Sequence, residues 1–355
     1  MTHCSDTPTM RAVRCPAPGG PAAMEIQRLP RPAPAAGQVL IKVHAAGVNR
    51  PDISQRRGTY PVPPDANPTL GLEVAGTVEA VGDGVALKPG QRVCSLVHGG
   101  GYADYAIAEA DQIIVLPDEI DFITAAALPE VAMTVEFNLV ERAVLKRNEW
   151  VLIHGGSGGI GSHAIQRAKA AGAKVAVTAG SDEKCGYCRA LGADVAINYR
   201  SVDFVEAVAE ATRGWGADVV LDMVGGDYID RNLKAMAPDG RCAIISLQGG
   251  RKISADLEPL LRRRLTLVGS TLRPLSKAEK SRIAKLVSCN VLPLVAENRI
   301  RSSVTTTFPL DQVEDAHRLL ESGATMGKIV LTVFQTPAQH SVVYLGHDTT
   351  LGCRP

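Results

Sequence analysis

The run Val151-Leu152-Ile153-His154-Gly155-Gly156-Ser157-Gly158-Gly159-Ile160-Gly161 decides the fold. It begins as a short apolar strand and passes through a glycine cluster. It then enters Ser162-His163-Ala164-Ile165-Gln166-Arg167-Ala168-Lys169-Ala170-Ala171-Gly172, which reads as a helix. Gly156, Gly158 and Gly161 satisfy G-x-G-x-x-G between that strand and that helix. In this context the three glycines differ in role. One makes a tight turn, one lets a pyrophosphate approach the backbone, and one lets helix and strand pack closely. The helix start offers free N–H groups and a positive dipole end to phosphate. The stretch therefore predicts a dinucleotide site.

Downstream, strand-like runs at 174–178, 194–198, 217–222, 240–246 and 265–269 alternate with helical patterns such as 203–212. Such alternation implies a parallel sheet covered on both faces. Upstream, the character differs. A strand, a Pro/Gly turn and a second strand fill 10–31, and 39–48 is a long apolar strand. Short apolar runs broken by Gly and Pro continue through 71–85, 88–93, 99–106 and 113–117, the pattern of a β-barrel. Residues 125–146 read as mostly helical. Beyond the alternating region, a helix at 276–289, strands at 305–310 and 327–333 and a helix at 312–322 are expected to rejoin the first domain. The fold class is α/β: a β-barrel domain followed by a doubly wound parallel sheet.

A chain of 355 residues, 45% hydrophobic, can bury two cores. A net charge of +1 gives no argument for nucleic acid, and 4% aromatic content argues against a stacking platform. Eight cysteines scattered over the whole length read as reduced thiols, hence a cytoplasmic protein. No apolar run approaches the roughly 18 residues of a membrane span. Residues 1–9 read as a disordered N-terminal extension without the apolar segment of a secretory signal, and 335–355 as a disordered tail. Cys185-Gly186-Tyr187-Cys188 is a C-x-x-C on a helix, but no second pair or histidine pair completes a metal set.

Cofactor choice is read at the second strand of the alternating region. A carboxylate there would bond the ribose hydroxyls of NAD. Instead, 174–178 runs into Ala179-Gly180-Ser181, with Lys184 one turn on. Ser181 and Lys184 suit a 2′-phosphate, so the phosphorylated cofactor NADPH is expected. The alternative is that Lys184 is an ordinary surface lysine.

The stretch from Gly71 to Val85 fits Gly-x-Glu-x-x-Gly-x5-Gly-x2-Val. This resembles the signature of the medium-chain dehydrogenase/reductase superfamily, whose zinc alcohol dehydrogenases carry a histidine where this chain has Leu72 and a cysteine where it has Asn49. No four-cysteine lobe lies between Val93 and Leu116 either, so no metal site is expected. Further motifs narrow the resemblance. These are Asn49-x-x-Asp52, Gln55-Arg56-Arg57-Gly58-x-Tyr60-Pro61, Gly71-Leu72-Glu73, Gly99-Gly100-Gly101-Tyr102-Ala103, Leu128-Pro129-Glu130, the glycine loop, Asn198-Tyr199 and Gly327-Lys328-Ile329-Val330-Leu331. Together they are similar to the zinc-independent NADPH:quinone oxidoreductase branch, its p53-inducible type first and its zeta-crystallin type next, over residues 10–334.

The resemblance implies a GroES-like catalytic domain at 10–131, a Rossmann NADPH-binding domain at 132–274 and a return to the catalytic domain at 275–334. It implies that Asn49, Asp52 and Tyr60 line the catalytic cleft, with Thr134 on the nicotinamide side. Gly156, Ser157, Gly158, Gly159, Ile160 and Gly161 would hold the pyrophosphate, and Gly180, Ser181, Lys184 and Tyr199 the 2′-phosphate and adenine. Gly225 would close the adenine side, and Ser246-Leu247-Gln248 and Thr271-Leu272-Arg273 would border the nicotinamide. Alternatives stand beside three of these. Tyr60 could pack on prolines, Arg273 could form a surface ion pair, and Asp52 could cap the helix after Asn49. The implied activity is metal-free hydride transfer to a quinone, in a homodimer paired near 265–269, with a small-molecule substrate and neither nucleic acid nor membrane as partner. The rival enzyme is an NADPH-dependent enoyl or 2-alkenal reductase. The rival class is a nucleotide-sensing or RNA-binding protein.

Overall fold

The computed structural model describes residues 8–60 and 62–334. Residues 1–7 of the expected extension and the whole expected tail lie outside the described residues. Thr9 already pairs with Pro30, in a hairpin of Thr9–Arg14 and Glu25–Pro30.

The alternating region forms a six-stranded sheet whose neighbouring strands are all parallel. In space the strands run Val195–Asn198, Lys174–Ala179, Trp150–Ile153, Ala217–Asp222, Met236–Ile244 and Thr266–Gly269. Chain order reverses at Trp150–Ile153, which places a ligand crevice beyond the carboxyl ends of that strand and of Ala217–Asp222. Both faces are covered, and the side chains show it by alternation. Val151, Ile153, Val175, Val177, Val219 and Leu221 pack with Ala164, Ile165, Cys185 and Cys188 of two helices. Leu152, Ala176 and Val220 point the other way, against Phe204, Val208 and Leu233. Helix starts are fixed locally: Ser181 accepts from the Lys184 N–H, Asp203 from that of Val205, and Ser276 exchanges bonds with Glu279. Caps of this kind are worth about 1 kcal/mol each.

The rest of the chain builds a second, seven-stranded sheet around the long strand Gln38–Val48. Register shifts at Leu40/Ile41 and Val43/Ala45 bend that strand. Its first half pairs with Tyr105–Glu109 and its second half with Lys328–Thr332. Glu73–Val81 runs along its other edge. The last strand thus closes the sheet made by the first part of the chain, and helix Val313–Ser322 packs beside it, with Val313 and Ala316 in the same core.

The helical stretch expected at 125–146 is broken into pieces. Phe122–Ala126 ends before Pro129, which starts Pro129–Val135, and Glu136–Arg142 widens into π-helical turns. Proline at the first helical position explains the restart. Among the described residues no helix is long and apolar enough to cross a membrane.

Candidate active site

The glycine loop shows the division of labour that its spacing predicts. A side chain at Gly161 would put its Cβ 2.3 Å from the Gly155 carbonyl oxygen and 2.6 Å from the Gly156 Cα, so this position holds helix Gly159–Ala170 against the turn. At Gly156 a Cβ would meet Val177 at 2.7 Å and the Cys188 sulfur at 3.1 Å. At Gly158 it would meet only the Gly155 oxygen, at 3.5 Å. Gly158 is thus the open position, where a pyrophosphate could reach the backbone at the helix start. These residues fit a dinucleotide.

At the carboxyl end of Lys174–Ala179, the structure brings Gly180, Ser181, Lys184 and Tyr199 together. The Tyr199 hydroxyl lies 2.9 Å from where a Gly180 Cβ would stand, and its ring is exposed. Ser181 caps the next helix, and the Lys184 ammonium donates to the carbonyl of Gly323. That neutral acceptor uses one of three ammonium hydrogens. Across the switch point, the Asp222 carboxylate accepts from the N–H groups of Val224 and Gly225. Gly225, at φ +65°, approaches Leu247, since a Cβ there would lie 2.6 Å from that side chain. The Gly225 and 246–248 loops are therefore one unit.

Between the two sheets runs a cleft of about 1350 Å³. Its walls include Tyr60, Thr134, Ser246, Leu247, Gln248, Thr271, Leu272 and Arg273, so eight separately predicted residues converge. Leu72 also lines it, presenting a hydrocarbon to the cleft. Among the described residues no cluster of three or more His, Cys, Asp or Glu side chains could hold a metal. Burial, followed by the nearby Glu130, pushes the Tyr60 phenol up, so it stays a hydrogen-bond donor at neutral pH. Arg273 does not form the surface ion pair that its sequence position allows. It is 9% exposed, its guanidinium carbon lies 5.2 Å from the Tyr60 ring centre, and its Nη1 donates to Gln55 Oε1 at 2.9 Å. Among the described residues its Nε and Nη2 have no partner.

Asn49 and Asp52 are placed differently from the expectation. Neither lines the cleft. Asp52 accepts from the Asn49 N–H at 2.8 Å and from the Tyr102 hydroxyl at 2.9 Å, so it caps helix Arg50–Arg56. Asn49 is held between charges: its Nδ2 donates to Glu73 Oε1 at 2.8 Å, and its Oδ1 accepts from Lys328 Nζ at 2.6 Å. The Asn49 side chain and Asp52 Oδ2 serve a buried network behind the cleft wall, while Asp52 Oδ1 has no partner among the described residues.

That network is what sequence reasoning missed. Lys328 Nζ also donates to Glu73 Oε1 at 2.5 Å, with side chains 3% and 0% exposed. The other Glu73 oxygen accepts from the Glu130 N–H at 2.9 Å. The Lys328 stem lies over Gly159, and Gly327 donates to the Ser157 carbonyl at 2.7 Å. The ion pair lies within the second sheet, and the Lys328 stem and the Gly327 N–H tie that sheet to the glycine loop. Glu73, Glu130 and Lys328 all stand inside recognisable motifs, but their spacing in sequence gives no sign that they meet. Burial, then the Glu73 charge, pushes the Glu130 carboxyl up to about 7, and burial does the same to Asp52.

The C-x-x-C pair is a packing feature. Cys185 and Cys188 are buried, and burial pushes both thiols up, Cys188 to about 12. A thiol so raised is a poor nucleophile.

Comparison with known proteins agrees with this geometry. Residues 159–288 match the family described as zinc-binding dehydrogenase, and 35–118 the alcohol dehydrogenase GroES-like domain. The quinone oxidoreductase of Sus scrofa is 42% identical over 57% of this chain, a segment spanning 62% of the pig protein. That of Rattus norvegicus is 32% identical over 91% of this chain and 97% of its own length. The structure of Escherichia coli quinone oxidoreductase complexed with NADPH superposes with a TM-score of 0.83 at 32% identity, over 91% of this chain and all of that one. With a GroES-like sheet, a Rossmann sheet and the cleft between them in place, the chain belongs to the medium-chain dehydrogenase/reductase superfamily of oxidoreductases, with quinone oxidoreductases among its relatives.

Proposed function

We propose that the protein is a zinc-independent NADPH:quinone oxidoreductase, acting as a cytoplasmic homodimer on a small-molecule acceptor. One observation carries the reading: beside the open Gly158 position and the Ser181, Lys184 and Tyr199 cluster, the cleft wall carries Leu72, a hydrocarbon, where the resemblance to zinc dehydrogenases would put a ligand. When bound, NADPH supplies the hydride from its nicotinamide C4. The glycine loop aligns it, and Ser181, Lys184 and Tyr199 select the phosphorylated form. Tyr60, held protonated, donates a hydrogen bond to the acceptor oxygen as that oxygen gains charge. A quinone needs no metal Lewis acid, because its reduced form is aromatic. The exposed edge strand Thr266–Gly269 is the surface through which two copies would pair.

The test is steady-state NADPH oxidation with 1,4-naphthoquinone beside a 2-alkenal. The reading expects turnover of the quinone. Turnover of the alkenal alone would replace it with a double-bond reductase, and NADPH binding without turnover of either would favour a sensing role. Metal analysis of the active protein should find no stoichiometric zinc.

A further inference from the structure

The cleft wall carries positive charge whose contacts are all neutral. Arg273 is nine-tenths buried and lines the cleft. Among the described residues its one side-chain hydrogen bond goes to the amide oxygen of Gln55, and its Nε and Nη2 donors have no partner. Beside it, Lys280 of helix Lys277–Asn290 also lines the cleft, and its ammonium donates to the Arg273 carbonyl at 2.7 Å. Two cations side by side in a half-buried wall repel one another, and burial together with that repulsion pushes the Lys280 ammonium down. Such a pair is costly unless something of opposite charge arrives. The acids facing it are Asp52, Glu130 and the exposed Asp65. Asp52 accepts from Asn49 and Tyr102 at Oδ2, and Asp52 and Glu130 both hold their protons up to about pH 7. A planar guanidinium with two adjacent free N–H groups suits the two oxygens of one anionic group.

We propose that Arg273 and Lys280 form an anion subsite for the acceptor, so that the preferred substrate carries a carboxylate or sulfonate beside its electron-poor ring. This rests on the reading of the cleft as the acceptor site and names the substrate class within it. Arg273 then acts as a specificity-determining residue, with the guanidinium fixing the orientation of the ring under Tyr60.

Binding can be measured without turnover. Isothermal titration of the full chain with naphthalene-2-sulfonate and with neutral 2-naphthol, each with and without saturating NADP⁺, reads the subsite directly. The sulfonate is expected to bind about tenfold tighter or more, the size of a charge-assisted hydrogen bond, and to lose that margin at high salt. Arg273→Met and Lys280→Met should each erase most of the preference, and Arg273→Lys should keep part of it. Equal affinity for the two probes on the unaltered protein overturns the proposal, whatever the variants do. Displacement of the sulfonate by NADP⁺ also overturns it, because the cations would then serve the cofactor. In turnover, 1,2-naphthoquinone-4-sulfonate should show a lower KM than 1,2-naphthoquinone. If neither quinone is reduced, the function proposed above fails while the binding result still decides the subsite.

Discussion

Lys328→Met tests whether the buried ion pair stabilises the second sheet, two of whose strands, Glu73–Val81 and Lys328–Thr332, carry its partners. The Lys328 side chain is 3% exposed, and its ammonium donates to Glu73, Asn49 and the Val48 carbonyl. Methionine keeps the stem that covers Gly159 and deletes only the charge. Glu73, fully buried, then keeps two hydrogen bonds, from Asn49 Nδ2 and the Glu130 N–H, with no cation beside it. Removing one partner of a buried pair costs about 3–5 kcal/mol, most of it the penalty of the stranded charge. Adding Glu73→Gln removes that charge while retaining an acceptor for Asn49. The double variant should therefore recover at least half of the loss, which makes the cycle strongly non-additive. Urea unfolding followed by far-ultraviolet circular dichroism at pH 7 measures all four proteins. A loss below about 1 kcal/mol in Lys328→Met, the range of an exposed pair, would falsify the assignment. Additive losses in the double variant would equally refute it, since the two charges would then be acting independently.

Three further outcomes follow from the geometry. Asp52 titrates near 3.8 when unfolded and at about 7 when folded, so between those values the folded state binds more protons and stability falls as pH rises, by about 4 kcal/mol, then stays level above pH 7. Asp52→Asn should remove that share of the slope between pH 4 and 7 in urea midpoints, and an unchanged slope would move the titration to another group. Gly161→Ala forces a Cβ onto backbone atoms and should lower Tm sharply, whereas Gly158→Ala meets only the Gly155 oxygen at ordinary contact distance and should keep Tm while losing NADPH affinity; matching Tm losses would contradict the division of labour. Lys184→Ala should weaken NADPH binding by about 10-fold or more, the size of a charge-assisted hydrogen bond, and leave NADH nearly unaffected. Equal losses for both nucleotides, measured by fluorescence titration, would remove the 2′-phosphate role.

Sequence alone carried whatever is local or periodic. The strand, glycine turn and helix around Gly156 to Gly161 were legible because the backbone conformation and close packing there demand absent side chains at set intervals. The alternation after Trp150 gave the parallel sheet, because strands buried on both faces are continuous apolar runs. Leu72 was legible as a non-ligand from its chemistry. The roles of Asn49 and Asp52 were not, since a cleft residue and a helix cap read alike until their partners are known. Lys328 lies 279 residues from Asn49 and 255 from Glu73, and no period in a chain reports such a meeting. Nor could the sequence say that Arg273 would be buried with two donors unpartnered among the described residues, or that Cys188 would lie beneath Gly156. Burial and pairing of charge are properties of the packed whole. The sequence by itself determined the two sheets and the nucleotide loop, and the tertiary structure decided which polar groups face the cleft and which are spent holding it together.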